Sequence, residues 1–441
     1  MTRYINFDNA ASTPPLASVR GGVNDFLNFY SSVHRGAGFK SQLSTWAYEQ
    51  AREAVLRFVG ADLHEDVCIF GKNTTEAINK VARRFPFKEG SIVLATAMEH
   101  HSNDLPFRAV AEVVHVDTLP DGRLDLEDFD RKLDQNTDRI SLVAVTGANN
   151  VTGYLNPIHK LARKTHDIGA KIIVDGAQLA PHRKINIRPS DRSECIDFLA
   201  IAGHKMYAPF GTGALIGPRE FFNQGEPDQP GGGTVQVVTL KNVTWAEAPN
   251  RDEPGSPNVV GAVALALAIK ELSSIGMDLI AEHEATLTAY ALERLSDLAE
   301  LEIYGDRNPI QALDRLGTIS FKVNDLPHAL VAAILGHEFG IGVRSGCFCA
   351  HPYLFHLMDI KDSLAETVCA RMEKGDMRDR PGLLRASFAL YNTYEEIDVF
   401  VDALRRIING EYYGHYLQDS ATGDYVPEGW APHYHTYFDR M

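Results

Sequence analysis

The chain has 441 residues, 44% hydrophobic and 23% charged, enough for two domains with substantial cores. Its 43 basic and 58 acidic residues leave a formal charge of −15, which argues against nucleic acid or an anionic membrane as partner. No apolar run approaches the ~20 residues of a bilayer span, Met1-Thr2-Arg3-Tyr4-Ile5 opens no secretory segment, and five cysteines make no disulfide framework, so a reducing, cytoplasmic setting is expected.

In chain order, residues 45–59 carry apolar positions at helical spacing and predict an amphipathic helix. Strand-like apolar runs follow at Val67–Phe70, Ser91–Ala95, Val113–Asp117, Ile140–Thr146, Lys171–Val174, Phe198–Ala202 and Gly213–Ile216. Helical patterns such as Ile158–His166 lie between several of them. This alternation predicts an α/β fold, a mostly parallel sheet with helices on both faces. Ligands of such sheets bind outside the carboxyl ends of the strands, where Thr146, Asp175 and His204 fall. A Gly- and Pro-rich stretch at 225–258 marks a break. Beyond it, residues 259–297 predict one long helix, or two interrupted at Gly276. Strands at 317–323 and 340–344, with helices near 326–338 and 394–409, predict a smaller α+β unit. From Gly410 the chain turns aromatic and polar without a clear period, and is expected to pack as an extended arm.

The most informative residues are Val174-Asp175-Gly176-Ala177-Gln178 and Ala202-Gly203-His204-Lys205. Each follows an apolar run. A lysine amine and a carboxylate so placed suit pyridoxal phosphate: the lysine forms the Schiff base and Asp175 pairs with the protonated ring nitrogen. Asp175 could equally cap a following helix, and Gln178 could donate to the ring's phenolic oxygen. In Gly71-Lys72-Asn73-Thr74-Thr75-Glu76, two hydroxyls at a helix start suit a phosphate; a capping box led by Asn73 or Thr74 uses the same residues. His100, in Glu99-His100-His101-Ser102-Asn103, could stack on the ring; the adjacent histidines could instead bind metal, but no partners follow at ligand spacing. No metal site is expected. Cys347 and Cys349, in Arg344-Ser345-Gly346-Cys347-Phe348-Cys349-Ala350-His351, have no second pair at zinc spacing, Cys369 being alone. They are buried structural thiols or, beside Arg344, a reactive thiol of depressed pKa. Arg385 could fork an α-carboxylate or form an ordinary salt bridge. No Gly-X-Gly-X-X-Gly follows the first strand, which removes the dinucleotide-binding reading.

Together these motifs resemble the class V aminotransferase group of fold-type I pyridoxal phosphate enzymes, and most of all the group II cysteine desulfurases and selenocysteine lyases. The similarity runs from Asn6 to about Ile408. It also rests on Phe7-Asp8-Asn9-Ala10-Ala11, Val33-His34-Arg35-Gly36, Gly255-Ser256-Pro257-Asn258 and Tyr391-Asn392-Thr393. The resemblance implies a large domain with a mostly parallel seven-stranded sheet and a smaller α+β C-terminal domain. The expected division is an N-terminal arm (1–20), a large cofactor-binding domain (21–262), a small domain (263–410) and a tail (411–441). It makes Lys205 the Schiff-base lysine, Asp175 the ring-nitrogen partner, Gln178 the phenolic-oxygen donor and His100 the stacking group. Thr74, Thr75 and His204 would hold the phosphate, with Ser256 reaching in from the neighbouring subunit of a homodimer. Asn150 would lie near the substrate and Arg385 clamp its carboxylate, with His34, Arg35 and Arg344 close by. Cys349 falls on the sulfur-accepting position.

Three departures stand out. Ala202 replaces the usual serine that binds phosphate. The loop reads Gly-Cys-Phe-Cys where desulfurases usually have Gly-His-His-Cys; it resembles the string in molybdenum-cofactor sulfurases, which leaves the nucleophile open between Cys347 and Cys349. Residues 353–382 form a longer segment than in compact desulfurases. The implied reaction takes sulfur or selenium from L-cysteine or selenocysteine, giving alanine and a protein persulfide for a sulfur-acceptor protein or a small thiol. The alternatives are a class V C–S lyase, epimerase or aminotransferase without a persulfide, and a non-catalytic sulfur-relay partner of the same fold.

Overall fold

The computed structural model describes residues 4–378 and 380–438; Met1 to Arg3 and the side chain of Cys369 lie outside the described residues. The seven expected strands all form, at β1 (Asp66–Gly71), β2 (Ile92–Thr96), β3 (Glu112–Val116), β4 (Ile140–Thr146), β5 (Lys171–Asp175), β6 (Phe198–Ala202) and β7 (Gly213–Pro218). They make one sheet of order β1-β7-β6-β5-β4-β2-β3, in which only β7 runs antiparallel to its neighbours. The period-2 side-chain alternation buries both faces. Val143, Val145, Ile172 and Val174 point into one core with Tyr48, Ala51 and Val55 of α1 (Phe39–Phe58). Leu142, Ala144 and Ile173 point into the other with Ala77, Ile78 and Val81 of α2 (Thr74–Arg84). Each fully buried Val, Ile or Leu contributes roughly 1.5–3 kcal/mol of transfer free energy, so both layers hold the sheet against its helices.

The register lines up the strand ends. Gly71 pairs with Gly213 and Gly213 with Ala202, while Ala200 pairs with Asp175 and Asp175 with Thr146. The carboxyl ends of β1, β4, β5 and β6 therefore share one edge. Gly213 is required there: a Cβ on it would stand 2.7 Å from the Asn73 backbone, where the chain enters α2.

Gly276 (φ +97°) interrupts the long helical pattern, giving α3 (Val259–Ile275) and α4 (Met277–Ser296). No single helix among the described residues is long and apolar enough to cross a membrane; α3 and α4 are apolar as a pair but bent by 78°. α3 starts before the expected division at 262/263, and its Val259, Ala262 and Leu265 sit in the core of the large sheet. A second sheet of order β8-β9-β11-β10 follows, from β8 (Leu301–Tyr304), β9 (Thr318–Val323), β10 (Arg344–Gly346) and β11 (Leu383–Ser387). It is covered by α5 (His328–Glu338) and α6 (Tyr394–Ile408); α6 starts at a capping box between Thr393 and Glu396.

Three segments differ from the pattern expected of them. Ile5–Asn6 pairs in parallel with Ile341–Gly342, and Phe7 is fully buried among Phe321, Phe388 and Phe400, so the first part of the N-terminal arm belongs to the smaller core, while Val19 packs in the large one. Inside the Gly/Pro-rich break, Val235–Val238 and Val243–Trp245 form a hairpin. The tail is no extended arm: Tyr416–Gln418 and Tyr425–Pro427 pair as a second hairpin. Both hairpins have strands of three or four residues, too short for a visible alternation.

Candidate active site

A cavity of about 230 Å³ lies at the shared strand edge and is closed by the second sheet. Thr146, Asp175 and Lys205 come from the ends of β4, β5 and β6, and Thr74 and Thr75 from the start of α2. The loop after β2 adds His100; β11 adds Arg385; the loop after β10 adds Phe348 and Cys349.

Burial pushes the Lys205 amine down to about 8, partly opposed by Asp175. Desolvation raises the Asp175 carboxyl, opposed by the Ala177 N–H, which donates to Oδ1 at 2.9 Å, and by Lys205. No helix follows Asp175, so its carboxylate caps none. His100 is pushed down to about 3 by burial and then by Lys205. Its Nδ1 accepts from the Ser102 N–H at 3.1 Å, so the neutral ring carries its proton on Nε2. His204 is lowered to about 4 by burial, and its carbonyl accepts from the Thr13 N–H at 2.8 Å.

Two buried atoms in the wall have no hydrogen-bond partner, Thr74 Oγ1 and Gln178 Oε1. Unpaired buried polar atoms are rare in native structures, and these two fit a polar group held in the cavity. Asn73 caps α2 by accepting from Glu76 N–H at 3.0 Å, which leaves the Thr74 hydroxyl uncommitted. Thr75 Oγ1 lies 2.7 Å from Ser102 Oγ. Gln178 donates one Nε2 hydrogen to the Ala10 carbonyl at 2.8 Å. Ala202 lines the wall and offers no donor.

The opposite wall centres on Arg385, 3% exposed. Its Nη1 donates to the Asn150 carbonyl at 3.0 Å, Nη2 lies 3.4 Å from Asp8, and its guanidinium lies 4.7 Å from the Phe348 ring centroid. Nε has no partner. Arg344 flanks Asp8 at 3.6 Å. Asn150 spends its Nδ2 on the Phe348 carbonyl at 2.7 Å, so it holds the loop as well as lining the cavity. Phe348 and Cys349 both have positive φ, 54° and 55°. Two such non-glycine residues cost of order 1–3 kcal/mol each, and contacts to distant segments hold them there. The Cys349 carbonyl accepts from His101 N–H at 2.9 Å, and His101 Nε2 lies 3.0 Å from His351 Nδ1 with the rings stacked.

The two cysteines differ. Cys349 is exposed and lines the cavity. Cys347 does not line it; its Sγ donates to the Pro381 carbonyl at 2.9 Å and burial pushes its thiol up to about 11. The expectation of a depressed pKa therefore fails for Cys347.

His34, Arg35 and Ser256 are not beside the Lys205 cavity of their own chain. They line a separate cavity of about 520 Å³ with Tyr30, Asn250 and Glu253. The loops that carry them precede α1 and α3, which pack on each other, so the loops meet one another. Asp8 and Glu99 are site residues that the single-residue reading missed. Glu99 is pushed up to about 8 by burial, yet accepts from Thr96 Oγ1, Asn103 Nδ2 and the Thr146 N–H at 2.5, 2.6 and 2.8 Å, tying β2 to β4. Both stood inside quoted motifs, and an acid beside apolar residues was the only local signal.

Comparison with known proteins agrees with this architecture. The aminotransferase class-V family model matches residues 5–400. A probable cysteine desulfurase of Halalkalibacterium halodurans is 36% identical over 93% of this chain and 94% of its own length. The cysteine desulfurase of Dickeya dadantii is 35% identical over 91% of each chain. Among solved structures, the apo cysteine desulfurase of Thermococcus onnurineus NA1 superposes with a TM-score of 0.81 at 33% identity, covering 92% of this chain and 95% of that one. Cysteine desulfurase CsdA of Escherichia coli gives 0.78 at 27% identity, covering 93% and 96%. On the matched length and the shared fold, this chain belongs to the aminotransferase class-V family.

Proposed function

We propose that the protein is a pyridoxal phosphate-dependent cysteine desulfurase that moves sulfur from L-cysteine, or selenium from selenocysteine, onto Cys349. The observation that carries this reading is one cavity lined by a half-buried lysine, a buried aspartate, a buried arginine and an exposed thiol. Pyridoxal phosphate, when bound, supplies an aldehyde that captures amines and a ring that withdraws electrons from the substrate Cα. Lys205 would hold it, and Asp175 would pair with the ring nitrogen. His100 would stack on the ring as a neutral imidazole, Gln178 would donate its second Nε2 hydrogen to the phenolic oxygen, and Thr74, Thr75 and His204 would bind the phosphate.

Arg385 binds the substrate carboxylate, with Arg344 at the rim. Asp8 competes for both guanidiniums, so the clamp keeps one net positive charge before substrate arrives. With its amine free, Lys205 would take the Cα proton and later return one. The Cys349 thiolate attacks the substrate sulfur: an S–S bond forms, the Cβ–S bond breaks, and its electron pair stays with the carbon, which is protonated to give alanine. The net change is L-cysteine plus Cys349 thiol to alanine plus Cys349 persulfide. A sulfur-acceptor protein or a small thiol then reduces the persulfide. The active form is a homodimer in which His34, Arg35 and Ser256 serve the partner's cavity, in a reducing cytoplasmic setting.

Product analysis tests the reading. L-Cysteine and a reducing thiol should give alanine and sulfide in equal amounts. Pyruvate and ammonia instead would make it a C–S lyase, and no turnover by cofactor-loaded protein would overturn an enzymatic role.

A further inference from the structure

The tail beyond Gly410 and Cys347 have no part in the chemistry above, yet the structure joins them. The turn of the C-terminal hairpin lies on the stretch that carries Met377 and Arg380. Ser420 O accepts from the Met377 N–H at 2.8 Å, Gln418 Nε2 donates to Arg378 O at 2.9 Å, and Asp424 pairs with Arg380 at 2.6 Å. Gly423 (φ +73°) approaches so closely that a Cβ there would stand 2.3 Å from the Met377 carbonyl oxygen. The same stretch holds the thiol loop from its other side. Pro381 O accepts from Cys347 Sγ at 2.9 Å. Arg380 O accepts from His328 Nε2 at 3.2 Å, and His328 Nδ1 lies 2.8 Å from Ser345 Oγ, one residue before Gly346.

We infer that the C-terminal hairpin braces the sulfur-bearing loop: it acts through Asp424–Arg380 and Pro381–Cys347 to hold Cys349 at the cavity, and Cys347 is a positioning residue rather than a carrier of sulfur. Gly346, Phe348 and Cys349 all have positive φ, so the loop needs fixed points outside itself. Asn150 and His101 supply them on the cavity side; the hairpin and Pro381 supply them on the other. The high pKa of Cys347 keeps on it the proton that its bond to Pro381 requires.

The inference rests on the desulfurase reading, and two measurements on the cofactor-loaded, full-length protein separate their failures. The first is single-turnover formation of the Cys349 persulfide, followed by mass spectrometry after mixing with L-cysteine. Cys347→Ala and Asp424→Ala should each slow it on the order of tenfold. The L-cysteine concentration that half-saturates the cofactor's absorbance change should stay the same. Cys347→Ser keeps a donor for Pro381 and should retain most of the rate. A Ser variant as slow as the Ala variant, or full rate in both Ala variants, overturns the brace. The second is maleimide labelling of Cys347, which needs no turnover. Asp424→Ala should speed it severalfold, and unchanged labelling overturns the brace even if L-cysteine proves not to be the substrate. Absence of persulfide in the unsubstituted protein, with labelling responding as expected, counts against the desulfurase reading alone.

Discussion

Asp175 and Lys205 stand at the ends of adjacent parallel strands, whereas Cys349 stands on a loop of residues with positive φ held by contacts from Asn150, His101 and Pro381. The first region is fixed by sheet register: a one-residue slip of β5 or β6 would turn its side chains to the other face and disturb both cores. The second is fixed by hydrogen bonds from distant segments, each of modest worth, about 0.5–1.5 kcal/mol net. The floor of the cavity is therefore rigid, while its roof can yield by small steps. On the proposed function, that division suits an amine and a carboxylate that would meet one ring, and a thiol that would approach, take sulfur and present it outward.

Substitutions can break this contrast. Lys205→Ala should have the largest effect: turnover falls to background, and borohydride treatment leaves no pyridoxyl label at position 205. The neighbouring wall should stay intact, with an unchanged circular dichroism spectrum. Cys349→Ser should abolish the persulfide, read by mass spectrometry, while L-cysteine still perturbs the cofactor absorbance. If Cys347→Ser has that effect instead, the assignment of the nucleophile is wrong.

Acidity sharpens the contrast. Lys205 is lowered in the fold to about 8, and only the unprotonated amine captures an aldehyde. Reconstitution of apoprotein should therefore level off above about pH 8 and slow roughly tenfold per pH unit below it. His100 and His204, at about 3 and 4, should add no inflection between pH 5 and 7. A midpoint near 6.5, read by stopped-flow absorbance, would count against the assignment of Lys205. The smallest expected effect is in the roof. Phe348→Leu removes the ring face from Arg385 and should raise KM for L-cysteine several-fold, in line with a cation–π contact of about 0.5–2 kcal/mol, with kcat less affected. Phe348→Tyr should restore the unsubstituted value.

The same contrast explains what could be read from the chain alone. The strands of the large sheet show as apolar runs because they are buried on both faces, and Asp175 and Lys205 show because a polar residue ends such a run. Gly276 marks the helix break because the positive φ of the break suits glycine and few other residues. The roof left no such trace. Asp8 meets Arg385, and Pro381 meets Cys347, across separations at which periodicity carries no information. The two cysteines are separated by one residue; what distinguishes them is burial, which only the folded loop supplies. His34 and Arg35 were expected close to Arg385 and lie in another cavity of their own chain, together with Ser256, which was expected to serve a neighbouring subunit, because motif order does not say which edge of a layer a loop occupies.

The pairing of Ile5–Asn6 with Ile341–Gly342 has a consequence for biosynthesis. Residues 5–6 must wait until residues 341–342 have been made before they find their strand, and Asp8 cannot meet Arg385 until residue 385 has followed. The large sheet can fold while translation continues, but the arginine pocket closes only after the second sheet has been made. A nascent or truncated chain lacking the last third would hold the lysine and aspartate in register, yet have nothing with which to select an amino acid.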